Sequence, residues 1–82
     1  MRVEVKLMGS LRAKLSAEAP GGTAALDLDA GTTVAALLER LGVASGKVHL
    51  VLINGAMERD RGRALADGDQ LVVFPPVAGG AT

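Results

Sequence analysis

Val34, Leu37, Leu38 and Leu41 recur at i, i+3, i+4 and i+7, giving one apolar helical stripe in a chain of 82 residues. A stripe of that width buries one helix face against one partner layer. The segments on either side of it read as strands, so the expected fold is one main helix laid on one sheet. Gly31-Thr32-Thr33 ahead of the stripe offers an N-cap, and Gly42 behind it suits the C-terminal cap. Glu39 and Arg40 fall off the stripe and are expected in solvent.

Arg2 to Leu7 alternates strictly between charged and apolar residues, the period of a half-buried strand. Val3, Val5 and Leu7 take the core side. Gly9-Ser10 breaks the pattern, Leu11 to Leu15 allows a helical turn, and Pro20-Gly21-Gly22 is a loop signal. Ala24 to Asp29 alternates again, which suggests a hairpin with the first strand. Val48 to Ile53 is almost continuously apolar and reads as a central strand covered on much of both faces. Asn54-Gly55 is a strong hairpin turn, with room for a short strand after it. Met57 to Arg63 is charged and irregular, and Asp67-Gly68-Asp69 is a further turn.

Gln70 to Phe74 is the last strand, with Leu71 and Val73 inward, and Pro75-Pro76 ends it because proline cannot donate to a ladder. Residues 77–82 have no periodicity. The first and last strands are expected to pair centrally in a mixed sheet of four to five strands. This is an α+β arrangement, the β-grasp. The expected division is a domain over residues 1–77 and a flexible tail over 78–82 that carries Gly79-Gly80.

Composition narrows the function. Nine basic and nine acidic residues cancel, and Phe74 is the only aromatic, so neither the basic footprint nor the stacking platform of a nucleic-acid binder is present. The absence of cysteine excludes a disulfide scaffold and a cysteine nucleophile. One histidine, His49, makes no zinc cluster and no acid–base pair. No apolar run approaches the roughly 20 residues of a membrane span. The expected setting is cytoplasmic, with no membrane partner, no metal and no cofactor held by this chain.

The remaining chemistry is sparse. Asp67 and Asp69 read first as a turn, and Asp27 and Asp29 as solvated carboxylates on one strand face. His49, within an apolar run, reads as structural rather than as a proton relay. Gly21-Gly22 precedes a strand, not a helix, and so lacks the setting of a phosphate cradle. Arg59, Arg61 and Arg63 form a small basic cluster, either solvated or in contact with an acidic partner.

Two features carry more. Met8 follows inward Leu7 and Phe74 follows inward Val73, so both are expected to point away from the core, with Met57 on the same outer face. Exposed Met and Phe are residue types favoured at protein interfaces. The second feature is Gly79-Gly80, whose missing side chains let a chain end enter a narrow channel.

Leu65-Ala66-Asp67-Gly68-Asp69 followed by Phe74-Pro75-Pro76-Val77-Ala78-Gly79-Gly80 resembles the C-terminal signature of the ubiquitin-like sulfur carriers of the MoaD/ThiS type, and most of all the small subunits of molybdopterin synthases. The resemblance runs from Arg2 to Gly80. It implies a β-grasp fold and a carrier that supplies no catalytic side chains, acting as co-substrate or small subunit of a synthase. An adenylating enzyme of the ubiquitin-activating type would activate the carboxylate of Gly80 with ATP and magnesium. A sulfur donor would then displace AMP to leave a thiocarboxylate, and the synthase large subunit would receive the sulfur for molybdopterin.

The resemblance also implies that Met8, Met57 and Phe74, with Pro75 and Pro76, contact partners, and that Gly79 gives access to the channel. Ala81 and Thr82 follow Gly80 here, which departs from the family pattern and implies removal, by a metalloprotease in related precursors. Other readings stay open. The acceptor pathway can be cysteine, thiamine or tRNA thiolation. The chain can instead be a ubiquitin-like protein modifier, or a non-covalent β-grasp interaction module.

Overall fold

The computed structural model describes residues 1–15 and 23–76. Strand β1 (Arg2–Leu7) is followed by a 3₁₀ segment at Gly9–Leu15. Strand β2 (Thr23–Asp27), helix α1 (Val34–Arg40) and a short 3₁₀ turn at Ser45–Lys47 come next. Strands β3 (Leu50–Ile53), β4 (Ala56–Met57) and β5 (Gln70–Phe74) complete the sheet. The strand order is β2-β1-β5-β3-β4. β1 and β5 run parallel, with Val5 opposite Leu71 and Leu7 opposite Val73, and the other neighbours are antiparallel.

Periodicity accounts for the core. Val3, Val5 and Leu7 of β1 are buried, as are Leu71 and Val73 of β5 and Val51 and Ile53 of β3. Val34, Leu37 and Leu38 of α1 cover them from the other layer. Leu7, Leu37 and Leu71 are essentially sealed from water, and burial of such a side chain is worth about 1.5–3 kcal/mol. The helix begins where Thr33 Oγ1 accepts from the Ala36 N–H at 3.1 Å. It ends in a Schellman arrangement: Gly42, at φ +75°, donates to Glu39 O, and Val43 N–H donates to Leu38 O. The Asn54-Gly55 turn has φ +53° and +85°, the pair that a two-residue type I′ hairpin requires.

Several expectations need correction. Strand β3 is an interior strand, between β5 and β4, but it is buried on one face only, because Leu50 and Leu52 remain half-exposed. The second strand ends at Asp27, two residues earlier than expected, although Leu28 beyond it is still buried. His49 lies ahead of β3 with its side chain exposed, so it is not a core histidine. Met57 belongs to β4 rather than to an irregular segment. The loop expected at Pro20-Gly21-Gly22 and the boundary expected at 77/78 lie outside the described residues. Among the described residues, no helix is long and apolar enough to cross a membrane.

Candidate functional site

The outer face of the sheet, opposite α1, holds an apolar strip built by register. Phe74 of β5 sits across from Leu50 of β3, Val72 across from Leu52, and Leu52 across from Met57 of β4. Each of these has the parity opposite to the buried set. Met57 is 56% exposed, the most exposed large apolar side chain among the described residues, and Phe74, Val72, Leu50 and Leu52 are half-buried. Lys6 of β1, opposite Val72, bounds the strip on one side.

The chain leaves the sheet at one end of this strip. The Met8 N–H donates to Val73 O at 2.9 Å, and the His49 N–H donates to Phe74 O at 2.8 Å. The last residues of β5 are therefore held from both sides. Met8 and Pro75 are half-buried and Pro76 is exposed. Gly9 takes φ +56°, and a Cβ added there would sit 3.0 Å from Pro75 Cγ. Glycine at position 9 is thus needed twice, for its backbone angle and for the close approach of Pro75. Gly79, Gly80, Ala81 and Thr82, the residues expected to carry the chemistry, lie outside the described residues.

The opposite end of β5 is tied by a polar cluster. The Ala66 N–H donates to Asp69 Oδ2 at 2.8 Å, and Asn54 Nδ2 donates to Asp69 Oδ1 at 2.9 Å. The Gln70 N–H donates in turn to Asn54 Oδ1 at 3.0 Å. Asp69 is the one buried charged residue among those described. The Ala66 hydrogen bond holds its carboxyl below the usual range against the cost of desolvation, with help from Asn54 and from the positive charge of Arg63. Asp67 behaves differently: it is exposed and accepts from the Arg2 N–H at 2.7 Å. The two aspartates of the turn are structural, with separate partners.

Sequence reasoning places Met8, Met57 and Phe74 near one another but misses Leu50, Leu52 and Val72, which join Met57 to Phe74. It also misses Asn54 as the partner of Asp69. The signal for the first was present: once β3 pairs with β5, alternation alone sends Leu50 and Leu52 outward.

A five-stranded mixed sheet on one helix, with parallel first and last strands and a half-exposed apolar outer face, defines a ubiquitin-like β-grasp protein. The chain belongs to the ThiS family, whose model matches residues 5–80. It thus falls among ubiquitin-like sulfur carriers and the related archaeal modifiers. Among solved structures, SAMP1 of Haloferax volcanii, the small archaeal modifier protein 1, is 31% identical with a TM-score of 0.69, over 98% of this chain and 100% of that one. A Pyrococcus furiosus protein assigned as molybdopterin converting factor subunit 1 is 23% identical with a TM-score of 0.71, over 94% and 99%. The complex of subunits 1 and 2 of the molybdopterin-converting factor from Helicobacter pylori gives 22% and 0.61, over 98% and 100%. The last two likenesses speak to the fold. Among curated proteins, no sequence matches this one.

Proposed function

We propose that this chain is a sulfur carrier whose reactive group is the carboxylate of Gly80, serving molybdopterin synthesis. The observation that carries the reading is the family match, which runs through Gly80 and stops there. Ala81 follows, so the carboxylate exists only after hydrolysis of the Gly80–Ala81 bond, the task of a metalloprotease in this reading. An enzyme of the ubiquitin-activating type then joins the carboxylate to the α-phosphate of ATP, with magnesium, and releases pyrophosphate. Hydrosulfide attacks the acyl carbon and expels AMP, leaving a thiocarboxylate.

The apolar face supports this reading. Gly80 is four residues beyond Pro76, a reach of at most about 14 Å. A partner that acts on Gly80 must therefore lie close to the end of β5, beside Phe74, Leu50 and Met8. In the Helicobacter pylori complex, subunit 1 assembles with subunit 2. By analogy, a synthase large subunit is the proposed acceptor for this chain, docking through Met8, Met57, Phe74, Pro75 and Pro76, with Leu50, Leu52 and Val72 added. The carrier supplies no catalytic side chain and holds no cofactor.

A second reading is favoured by the 31% identity to SAMP1, a modifier. There the same adenylate would pass to a lysine amine as an isopeptide. The two readings share activation at Gly80 and diverge at the nucleophile. Incubation of a chain ending at Gly80 with an activating enzyme, ATP, magnesium and sulfide separates them. Replacement of one oxygen by sulfur supports the carrier, lysine conjugates alone support the modifier, and failure to adenylate defeats both.

A further inference from the structure

We propose that a groove beside the outer face, along β3 and β4, receives an acidic segment of the protein that docks there. This rests on the reading of that face as a docking surface. Beyond β4 the chain keeps running alongside β3, since the Glu58 N–H donates to Val51 O at 2.8 Å. The groove between the two is lined by His49, Leu50, Met57, Glu58, Arg59 and Arg61.

The charge in this groove is unbalanced. Glu58, the only acid in the lining, is already committed: its Oε1 meets Arg63 Nη1 at 3.3 Å and its Oε2 accepts from the Asp60 N–H at 3.1 Å. Asp60 turns its Oδ1 to the Gly62 N–H at 2.8 Å. Arg61 donates to the backbone carbonyl of Glu58, at 3.4 Å, and makes no ion pair among the described residues. Arg59 is exposed and makes no side-chain hydrogen bond or ion pair among the described residues. Three arginines stand against two carboxylates in this loop, a net charge of one, and the two arginines that make no ion pair among the described residues, Arg59 and Arg61, both line the groove.

Leu50 and Met57 line the groove and also belong to the apolar strip. A small anion would leave them uncovered. A peptide segment that alternates carboxylates with apolar side chains satisfies both, and it would continue a surface already suited to a protein. Complementary charge at the edge of an apolar contact mainly raises encounter rate and selects the partner.

The test uses the ¹⁵N-labelled full chain and a synthetic peptide of alternating glutamate and leucine, with a glutamine–leucine peptide as control. The acidic peptide is expected to shift the amides of His49, Leu50 and residues 57–61. Its affinity should exceed that of the control by about tenfold and fall as salt is added. Arg59→Glu with Arg61→Glu should abolish the difference, whereas Arg2→Glu, an equal kind of charge change at the far end of β1, should not. If the double variant fails to fold, Arg59→Glu alone should still cost several-fold, since that side chain supports nothing in the fold.

Absent shifts, shifts elsewhere, equal affinity for both peptides, or an equal effect of Arg2→Glu would each overturn the proposal. A chain that gains sulfur at Gly80 yet ignores the acidic peptide defeats the groove and spares the carrier reading. The reverse pair of results spares the groove alone.

Discussion

Removing the Asp69 carboxylate should destabilise the domain strongly, because that group ties together the turn before β5 and the β3–β4 hairpin. Asp69→Ala deletes two hydrogen bonds to a charged acceptor, from Ala66 N–H and Asn54 Nδ2. Bonds to a charged group contribute about 1.5–3 kcal/mol each. Ala66 and Asn54 are both exposed, so water replaces part of what is lost. Removing the carboxylate also returns part of its desolvation cost, since Asp69 is only 6% exposed. The expected loss is about 2–3 kcal/mol, or about 10–20 °C in Tm for a domain of this size. With no Trp or Tyr, unfolding is best followed by far-ultraviolet circular dichroism in urea.

The same carboxylate gives a pH signature. Its native pKa is lowered, so the unfolded chain binds a proton more readily than the folded one. The stability it contributes is fully present above the ordinary aspartate value near 3.9 and is lost as pH falls below that value through the lower native one. Asp69→Asn lacks this titration, so the gap between wild type and variant should narrow below about pH 4. Asp69→Ala within about 0.5 kcal/mol of wild type at pH 7, or an Asp69→Asn gap that holds unchanged into strong acid, would refute the reasoning.

Leu37→Ala, at a side chain with no exposed surface, should cost about 2–5 kcal/mol in the same denaturation assay. Phe74→Ala should leave most of the stability in place but weaken binding to the activating enzyme by at least about tenfold in calorimetry, as expected for a central aromatic at an interface. Gly9→Ala should lower stability by about 1–3 kcal/mol, because it combines a left-handed backbone with a collision at Pro75. Gly80→Val, in a chain already ending at that residue, should fold normally yet fail to support ATP–pyrophosphate exchange by the activating enzyme.

Local periodicity made most of the fold legible. The charged–apolar alternation of Arg2 to Leu7, the helical stripe from Val34 to Leu41 and the Asn54-Gly55 turn each match the element found. The site was less legible because its parts are not local. Val48 to Ile53 offers no polar residue after His49 to mark the open face, so only the pairing with β5 and β4 shows that Leu50 and Leu52 point outward. Asp69 reads only as a turn residue because its partner, Asn54, lies 15 positions away. The close approach of Gly9 to Pro75 joins residues at opposite ends of the chain, where no window along the sequence sees both.

The central claim is that Gly80 carries the chemistry, and the intact mass of the protein recovered from its own host tests it most directly. The account predicts a chain that ends at Gly80 with one oxygen replaced by sulfur. A chain that retains Ala81 and Thr82, unmodified while molybdopterin synthesis is active, would contradict it.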